Sequence, residues 1–352
     1  MKVVMCTKIG NLKDPDPEKR GVVETLDMPE PEMKDEGIKI KVAYCAICGS
    51  DPHQIGGAFG PFVPVGMGHE LSGVVVEVGK KATKRGIKVG DRVGGNFIMP
   101  CGTCYYCRNG QEQFCRSGNR DYHCPGMAEY VVWHESQVFK LPDSVSLRQG
   151  CILEPVSVIV RMMDKTNIKF GQRVAVSGGG PIGLLGLQAL KMYGASELTL
   201  IEPIAERRQL GLKYGATHVI DPINENLYGK AMEYTNDLGY DLIVDVSGAP
   251  AAASPIPSIT AKGGRIVYGA MYPNEWEMPI NLFDVFYHRE ITITGMFVSP
   301  YAFNRAAQML PRFDLEDLTA KVFPIDQSAE AFAAHISGKW PKILIKCNDD
   351  LD

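Results

Sequence analysis

The residues whose types and spacing could do chemistry gather in a few short stretches. From Ala43 to His53 the chain reads Ala-Tyr-Cys-Ala-Ile-Cys-Gly-Ser-Asp-Pro-His. Cys48 offers a thiolate to a soft metal, Ser50 a hydroxyl that can pass a proton, Asp51 a carboxylate, and His53 an imidazole that can carry a proton to water. Cys45 and Cys48 form a C-x-x-C, which by itself fits a redox pair or a metal knuckle equally. Gly68-His69-Glu70 adds an imidazole beside a carboxylate, and Leu153-Glu154-Pro155 adds a further carboxylate. Cys48, His69, Glu70 and Glu154 together make the mixed S, N and O set that suits an open catalytic zinc.

Cys101-x-x-Cys104-x-x-Cys107 followed by Cys115 is a stronger signal. Four thiolates at these spacings suit a tetrahedral zinc with Zn–S bonds of ~2.3 Å. The sequence between them is polar and rich in turn formers, so a metal would supply the folding energy that apolar packing cannot. Such a shell has no open position, which makes the expected role structural.

Val174-Ala175-Val176-Ser177-Gly178-Gly179-Gly180-Pro181-Ile182-Gly183 carries a glycine fingerprint between a Val-rich strand and an amphipathic helix. In that context Gly178 permits the tight turn, Gly180 lets backbone approach a pyrophosphate, and Gly183 lets the helix pack on the sheet. Pro181 and Ile182 open the helix whose N-terminus would meet the phosphates. Glu202 ends the next strand, about 20 residues on, where an acid binds the ribose hydroxyls. It favours NAD over NADP. Arg207 and Arg208 could serve a 2′-phosphate, but their place inside the following helix favours solvation or stacking on adenine.

The elements that must hold these residues divide the chain near Glu154. Before it, short strands are punctuated by Gly and Pro: Gly37–Tyr44, Leu71–Val78, Arg92-Val93, Ala128–Val132 and Val138–Leu141. After it, strands and helices alternate: Arg173–Ser177, Pro181–Tyr193, Glu197–Ile201, Ala205–Tyr214 and His218–Ile220. Leu242–Val246, Arg265–Tyr268 and Ile291–Thr294 continue the strands. The reading is an α/β protein in two domains: a mostly-β domain, residues 1–156, and a doubly wound parallel dinucleotide-binding domain, residues 157–296. Residues 297–352, with one helix (Tyr301–Leu310) and one strand (Lys342–Lys346), are expected to pack back on the first.

At 352 residues, 45% of them hydrophobic, the chain can bury two cores without disulfides. A net charge of -4 without long charged runs argues against nucleic acid or an anionic membrane as partner. No apolar run reaches the length of a membrane span, and the N-terminus lacks a signal-peptide pattern. A cytoplasmic protein is expected, with its ten cysteines serving as ligands or core residues.

Cys48-Gly49-Ser50-Asp51, Gly68-His69-Glu70, the Cys101–Cys115 quartet, Glu154-Pro155 and the Gly178–Gly183 loop occur in an order and spacing that resembles the zinc-dependent medium-chain alcohol dehydrogenases over essentially the whole chain. Val89-Gly90-Asp91-Arg92-Val93 and Ala128-Glu129-Tyr130 add to the likeness. Glu154, where the ethanol-type enzymes have cysteine, makes the chain look most like the sorbitol/polyol and threonine dehydrogenase branch. The resemblance implies a GroES-like catalytic domain, a Rossmann domain for NAD, and two zinc ions per chain. Cys48 and His69 would be direct ligands of the catalytic zinc, Glu70 often one too, and Glu154 would bind or approach it. Asp51 would orient His69, and Cys45 matches no ligand.

The zinc would lower the pKa of a substrate hydroxyl, Ser50 would accept its proton, and His53 would pass it on. The resemblance further implies a secondary alcohol or ketone of polyol, sugar, cyclitol or hydroxy-acid type as substrate, L-threonine as the same-fold alternative, and a homo-oligomer, dimer or tetramer. Two segments depart from the pattern. Tyr122-His123-Cys124-Pro125-Gly126-Met127-Ala128 stands where many relatives have a glycine pair before Phe-Ala-Glu-Tyr, so that His123 or Cys124 could line the substrate cleft, and residues 11–20 read as an inserted polar loop.

Overall fold

A computed structural model describes residues 1–116, 118 and 125–352. It has two units, residues 1–157 with 300–352, and residues 158–299.

The first unit is organised on the Gly37–Ala46 strand. Lys39 and Lys41 alternate with buried Ile38, Ile40 and Val42, as a half-buried strand requires. From Val42 to Ile47 every residue is buried, so the strand becomes central as it nears Cys48. It pairs antiparallel with Glu70–Val78, Tyr130–His134 and Leu344–Lys346. Arg92–Gly95 and Val138–Lys140 extend the sheet on one side and Val322–Pro324 on the other. Ile38, Leu71, Val93, Met127, Trp133, Phe332 and Ile345 share its core. A three-stranded sheet joins Lys2–Lys8 to Val22–Asp27 and Val65–Gly66.

Two expectations need adjusting. The strand read from Ala128 begins at Tyr130, because Ala128 is engaged in a bridge to Val3. Beyond Gly295 there are two helices, Phe303–Met309 and Ser328–Ile336, and two strands, Val322–Pro324 and Leu344–Lys346. The second helix is alanine-rich and buries only Ser328, Ala331 and Phe332, too narrow a stripe to register as a helical period. Residues 11–20 form a loop stiffened by side-chain turns at Asn11, Asp14 and Asp16. Leu12 packs on the core, and Gly10 N–H donates to Ile55 O at the end of the Ser50–Ile55 helix.

The second unit is a six-stranded, all-parallel sheet. Its order is His218–Ile220, Glu197–Ile201, Arg173–Ser177, Tyr240–Asp245, Thr260–Tyr268 and Thr292–Gly295. Strand order therefore reverses at Arg173–Ser177, and the loop leaving that strand is where such sheets bind ligands. Gly183 to Leu190 of the Pro181–Met192 helix are all buried. Thr292–Gly295 is an edge strand, and just before it Leu282, Phe283, Phe286 and Tyr287 are exposed. No helix among the described residues is long and apolar enough to cross a membrane.

Candidate metal centres and nucleotide loop

The strand Gly37–Ala46 delivers Cys48, and the next strand, Glu70–Val78, begins at Glu70, directly after His69. Their antiparallel register sets Ala46 opposite Glu70. That pairing gathers Cys48, His69 and Glu70, whose donor atoms lie within 4.8 Å of one another. Cys45 points instead into the core, fully buried, and stands outside this group.

The Ser50–Ile55 helix follows Cys48 at once. Asp51 in its first turn is 1% exposed and accepts the Cys48 N–H at Oδ2, 2.8 Å. Its other oxygen, Oδ1, has no hydrogen-bond partner and lies 3.8 Å from His69 Nδ1. The firm bond of Asp51 is thus to the Cys48 backbone, and its approach to His69 is longer than a hydrogen bond. Ser50 is half-buried and His53 exposed, three residues apart on one helix face. Phe97 lies against the His69 ring, centroids 4.8 Å apart.

Glu154 sits in the first turn of the Leu153–Thr166 helix, 7% exposed, outside the 4.8 Å group. Burial pushes its carboxyl up to about 7, with His69 opposing and Glu70 adding to the rise. Glu70 has a partner that the sequence did not signal. Lys342 Nζ is 2.5 Å from Glu70 Oε2, and both side chains are buried. Burial works against the Lys342 charge, but Glu70, Cys48 and Glu154 outweigh it and hold the ammonium above the ordinary lysine range. Burial would likewise lower His69, yet Cys48, Asp51 and Glu154 raise it well above its usual value. One thiol and three carboxyl groups thus surround one imidazole against a single ammonium. A set of one sulfur, one imidazole and neighbouring carboxyl groups, half-buried to buried, fits a divalent cation such as zinc.

The second cluster is Cys101, Cys104, Cys107 and Cys115, again within 4.8 Å of one another. Sulfurs on a tetrahedron ~2.3 Å from zinc would lie ~3.8 Å apart. The Cys104–Cys107 and Cys101–Cys107 sulfurs are 3.5 and 4.0 Å apart, so the quartet fits such an ion. Backbone N–H groups of Cys101 and Cys104 donate to the sulfurs of Cys115 and Cys101, at 3.3 Å each. Bonds from the Thr103 backbone and hydroxyl lower Cys101 to about 6, and burial raises Cys107 to about 12. Tyr122, His123 and Cys124 lie outside the described residues.

In the second unit Gly178 has φ +101°, a conformation that favours glycine. A Cβ on Gly183 would stand 1.8 Å from Gly178 O, so only glycine allows this close turn onto the helix. Gly180 has open space where a side chain would be, at the N-terminus of a helix that begins with Pro181 and Ile182. Glu202, 4% exposed, accepts Gly179 N–H at 2.6 Å and Ile204 N–H at 2.9 Å. Each oxygen keeps a second acceptor site for a hydroxyl. Arg207 stands beside Gly179 on the Ala205–Lys213 helix. Arg208 is tied to the Glu202 and Pro203 carbonyls and lies 3.0 Å from Asp221.

Two family models match the chain: an alcohol dehydrogenase GroES-like domain over residues 34–143 and a zinc-binding dehydrogenase over residues 181–314. The D-arabitol-phosphate dehydrogenase of Enterococcus avium is 34% identical, over 92% of this chain and 94% of the relative. The L-threonine 3-dehydrogenase of Yersinia pestis is 32% identical, over 91% and 94%. Among solved structures, 2R,3R-butanediol dehydrogenase from Bacillus subtilis superposes with TM-score 0.82 at 30% identity, covering 98% of this chain and 100% of that one. A zinc-binding dehydrogenase structure from Sinorhizobium meliloti, bound to NADP, gives TM-score 0.85 at 26% identity, covering 98% and 99%.

Proposed function

The chain belongs to the zinc-binding alcohol dehydrogenase family, and on that premise we propose that it transfers hydride between a secondary alcohol and NAD, the alcohol being a polyol, sugar, cyclitol or hydroxy acid. The observation that carries this reading is the Cys48, His69 and Glu70 group, in a chain that also has the buried Glu154 and the Gly178–Gly183 loop.

Zinc held by Cys48, His69 and one carboxylate would supply the Lewis acidity that lets an alcohol lose its proton near neutral pH. That carboxylate is Glu70, inside the 4.8 Å group with its Oε2 standing 2.5 Å from Lys342 Nζ, or Glu154 on the neighbouring helix. Ser50 takes the substrate proton, and His53, exposed on the same helix face, hands it to water. Asp51 fixes the Cys48 backbone, so the thiolate keeps its direction. Cys101, Cys104, Cys107 and Cys115 would hold a second zinc, which would stiffen their lobe.

Glu202 supports NAD, because its carboxylate would repel the additional phosphate of NADP. Arg207, beside Gly179, is read as lying against the adenine end. The exposed Leu282, Phe283, Phe286 and Tyr287 beside an open edge strand support a second copy of the chain as partner, within a dimer or tetramer. Free thiols at all described cysteines support a reducing, cytoplasmic setting.

A panel of polyols, sugar acids, cyclitols and L-threonine, each with NAD and NADP, tests the reading. Turnover of polyols with NAD is the expected result. Turnover of L-threonine alone would establish the second reading, which the Yersinia relative favours. Elemental analysis should find two zinc per chain, and one zinc would leave only the quartet filled.

A further inference from the structure

Gln137 is 1% exposed, and both ends of its side-chain amide are hydrogen-bonded. Its Oε1 accepts the His134 N–H at 3.0 Å, while its Nε2 donates to the carbonyls of Asn96 at 3.1 Å and Phe97 at 3.2 Å. Its backbone carbonyl accepts Asn96 N–H at 2.7 Å. The segment it grips is the exit of the Arg92–Gly95 strand. Gly95 makes that grip possible: a Cβ there would lie 2.7 Å from Gln137 O and 2.5 Å from the Trp133 ring. Asn96 Oδ1 adds a turn by accepting Ile98 N–H at 2.9 Å.

Three residues of backbone, Asn96 to Ile98, are thereby held between two clusters of chemistry. At Phe97 the side chain lies on the His69 imidazole. Beyond Ile98 the chain runs to Cys101 of the thiolate quartet. A carbonyl fixed at Phe97 fixes where its Cα–Cβ bond aims, and the ring follows.

We infer that Gln137 is a positioning residue: its amide sets the Asn96–Phe97 backbone so that the Phe97 ring packs on His69 and fixes the tilt of that imidazole. The inference rests on the proposed function only for its kinetic consequence. Its geometric content concerns Gln137, Phe97 and His69 alone.

The test is NMR on full-length protein with ring-labelled histidine, of which the chain has seven. A Phe97→Leu variant locates the ring-current shift on the His69 ring protons. Gln137→Met, which removes the amide donors, should move the His69 signal in the same direction as Phe97→Leu, with His134 the other histidine affected. Should Gln137→Met fail to fold, Gln137→Glu, of the same shape but with one carboxyl proton at most in place of two N–H donors, should move the His69 signal in the same direction by a smaller amount. A His69 signal unmoved in a folded Gln137 variant, even one that melts earlier, overturns the inference and leaves Gln137 a purely structural residue. On a substrate the enzyme turns over, kcat/KM should fall by about tenfold, within the ~10²-fold that an ångström of misplacement costs. An enzyme that oxidises no alcohol in the panel sinks the functional reading, and the NMR result still decides this one.

Discussion

Lys342 Nζ and Glu70 Oε2 stand 2.5 Å apart with 3% and 2% of their side chains exposed, which makes them a buried ion pair at the edge of the candidate catalytic metal centre. Breaking one side of such a pair costs about 3–5 kcal/mol, because the other charge stays buried alone. Lys342→Met should therefore unfold at markedly lower denaturant than the parent. Adding Glu70→Gln to it should recover most of the loss. A double variant no better than the single would show that the pair is not the origin of the effect.

Cys48 and Cys45 should behave oppositely although three residues apart. Cys48→Ser is expected to keep the fold, lose one zinc of two by elemental analysis, and lose turnover. Cys45 is wholly buried. Cys45→Ala should cost about 1 kcal/mol of core packing and leave both zinc ions in place. Loss of zinc from that variant would return Cys45 to the list of ligands.

The quartet should be separable from the catalytic centre. Cys107→Ser is expected to remove one zinc and to render the lobe around residues 101–115 sensitive to protease, since its polar sequence has little else to fold on. Limited proteolysis with and without chelator reads this directly. A lobe equally resistant in both would mean that it packs without metal.

Glu202 couples the glycine loop to the end of the neighbouring strand through Gly179 N–H. Glu202→Ala removes both the acceptor for that N–H and the charge facing a 2′-phosphate. The expected outcome is weaker NAD binding and a preference ratio shifted toward NADP, measured by titration of protein fluorescence. An unchanged ratio would place cofactor choice elsewhere.

Asp241 predicts an acid-side loss of stability. Burial pushes its carboxyl up, but bonds from the Arg173 N–H and guanidinium outweigh this and hold it below its ordinary 3.8. A group depressed on folding contributes stability above its unfolded pKa and loses it as pH falls through the folded value. The stability gap between the parent and Asp241→Asn should thus be full at pH 7 and begin to close below about pH 4. A gap that stays constant to pH 3 would contradict this.

Motifs made of consecutive residues were legible in the sequence. The Gly178–Gly183 turn follows from local backbone requirements, so spacing was enough to place it. The Cys101–Cys115 quartet was legible for the same reason, because all four donors lie in one short lobe. What escaped was set by strand pairing between distant segments. Lys342 precedes the apolar Ile343-Leu344-Ile345 and shows no sign of its partner until that segment joins the central strand. Gln137 reads as an unremarkable polar residue between short strands, and only the fold aims its amide at Asn96 and Phe97. Glu154 reads in the sequence as a carboxylate that could bind or approach the metal. Its position outside the tight group of Cys48, His69 and Glu70 depends on where a helix begins, which spacing does not measure.

The sheet that carries the candidate catalytic cluster is finished by strands from the far end of the chain: Leu344–Lys346 lies directly against Gly37–Ala46. A ribosome releases the whole of residues 158–299 before that strand emerges. The nucleotide unit can fold during synthesis, while the first unit waits with a gap in its sheet and Glu70 lacking Lys342. A messenger truncated shortly before the codon for Lys342 would thus yield a product with a complete dinucleotide fold and a defective metal centre. In the cell such a product is a target for quality control rather than a slow enzyme.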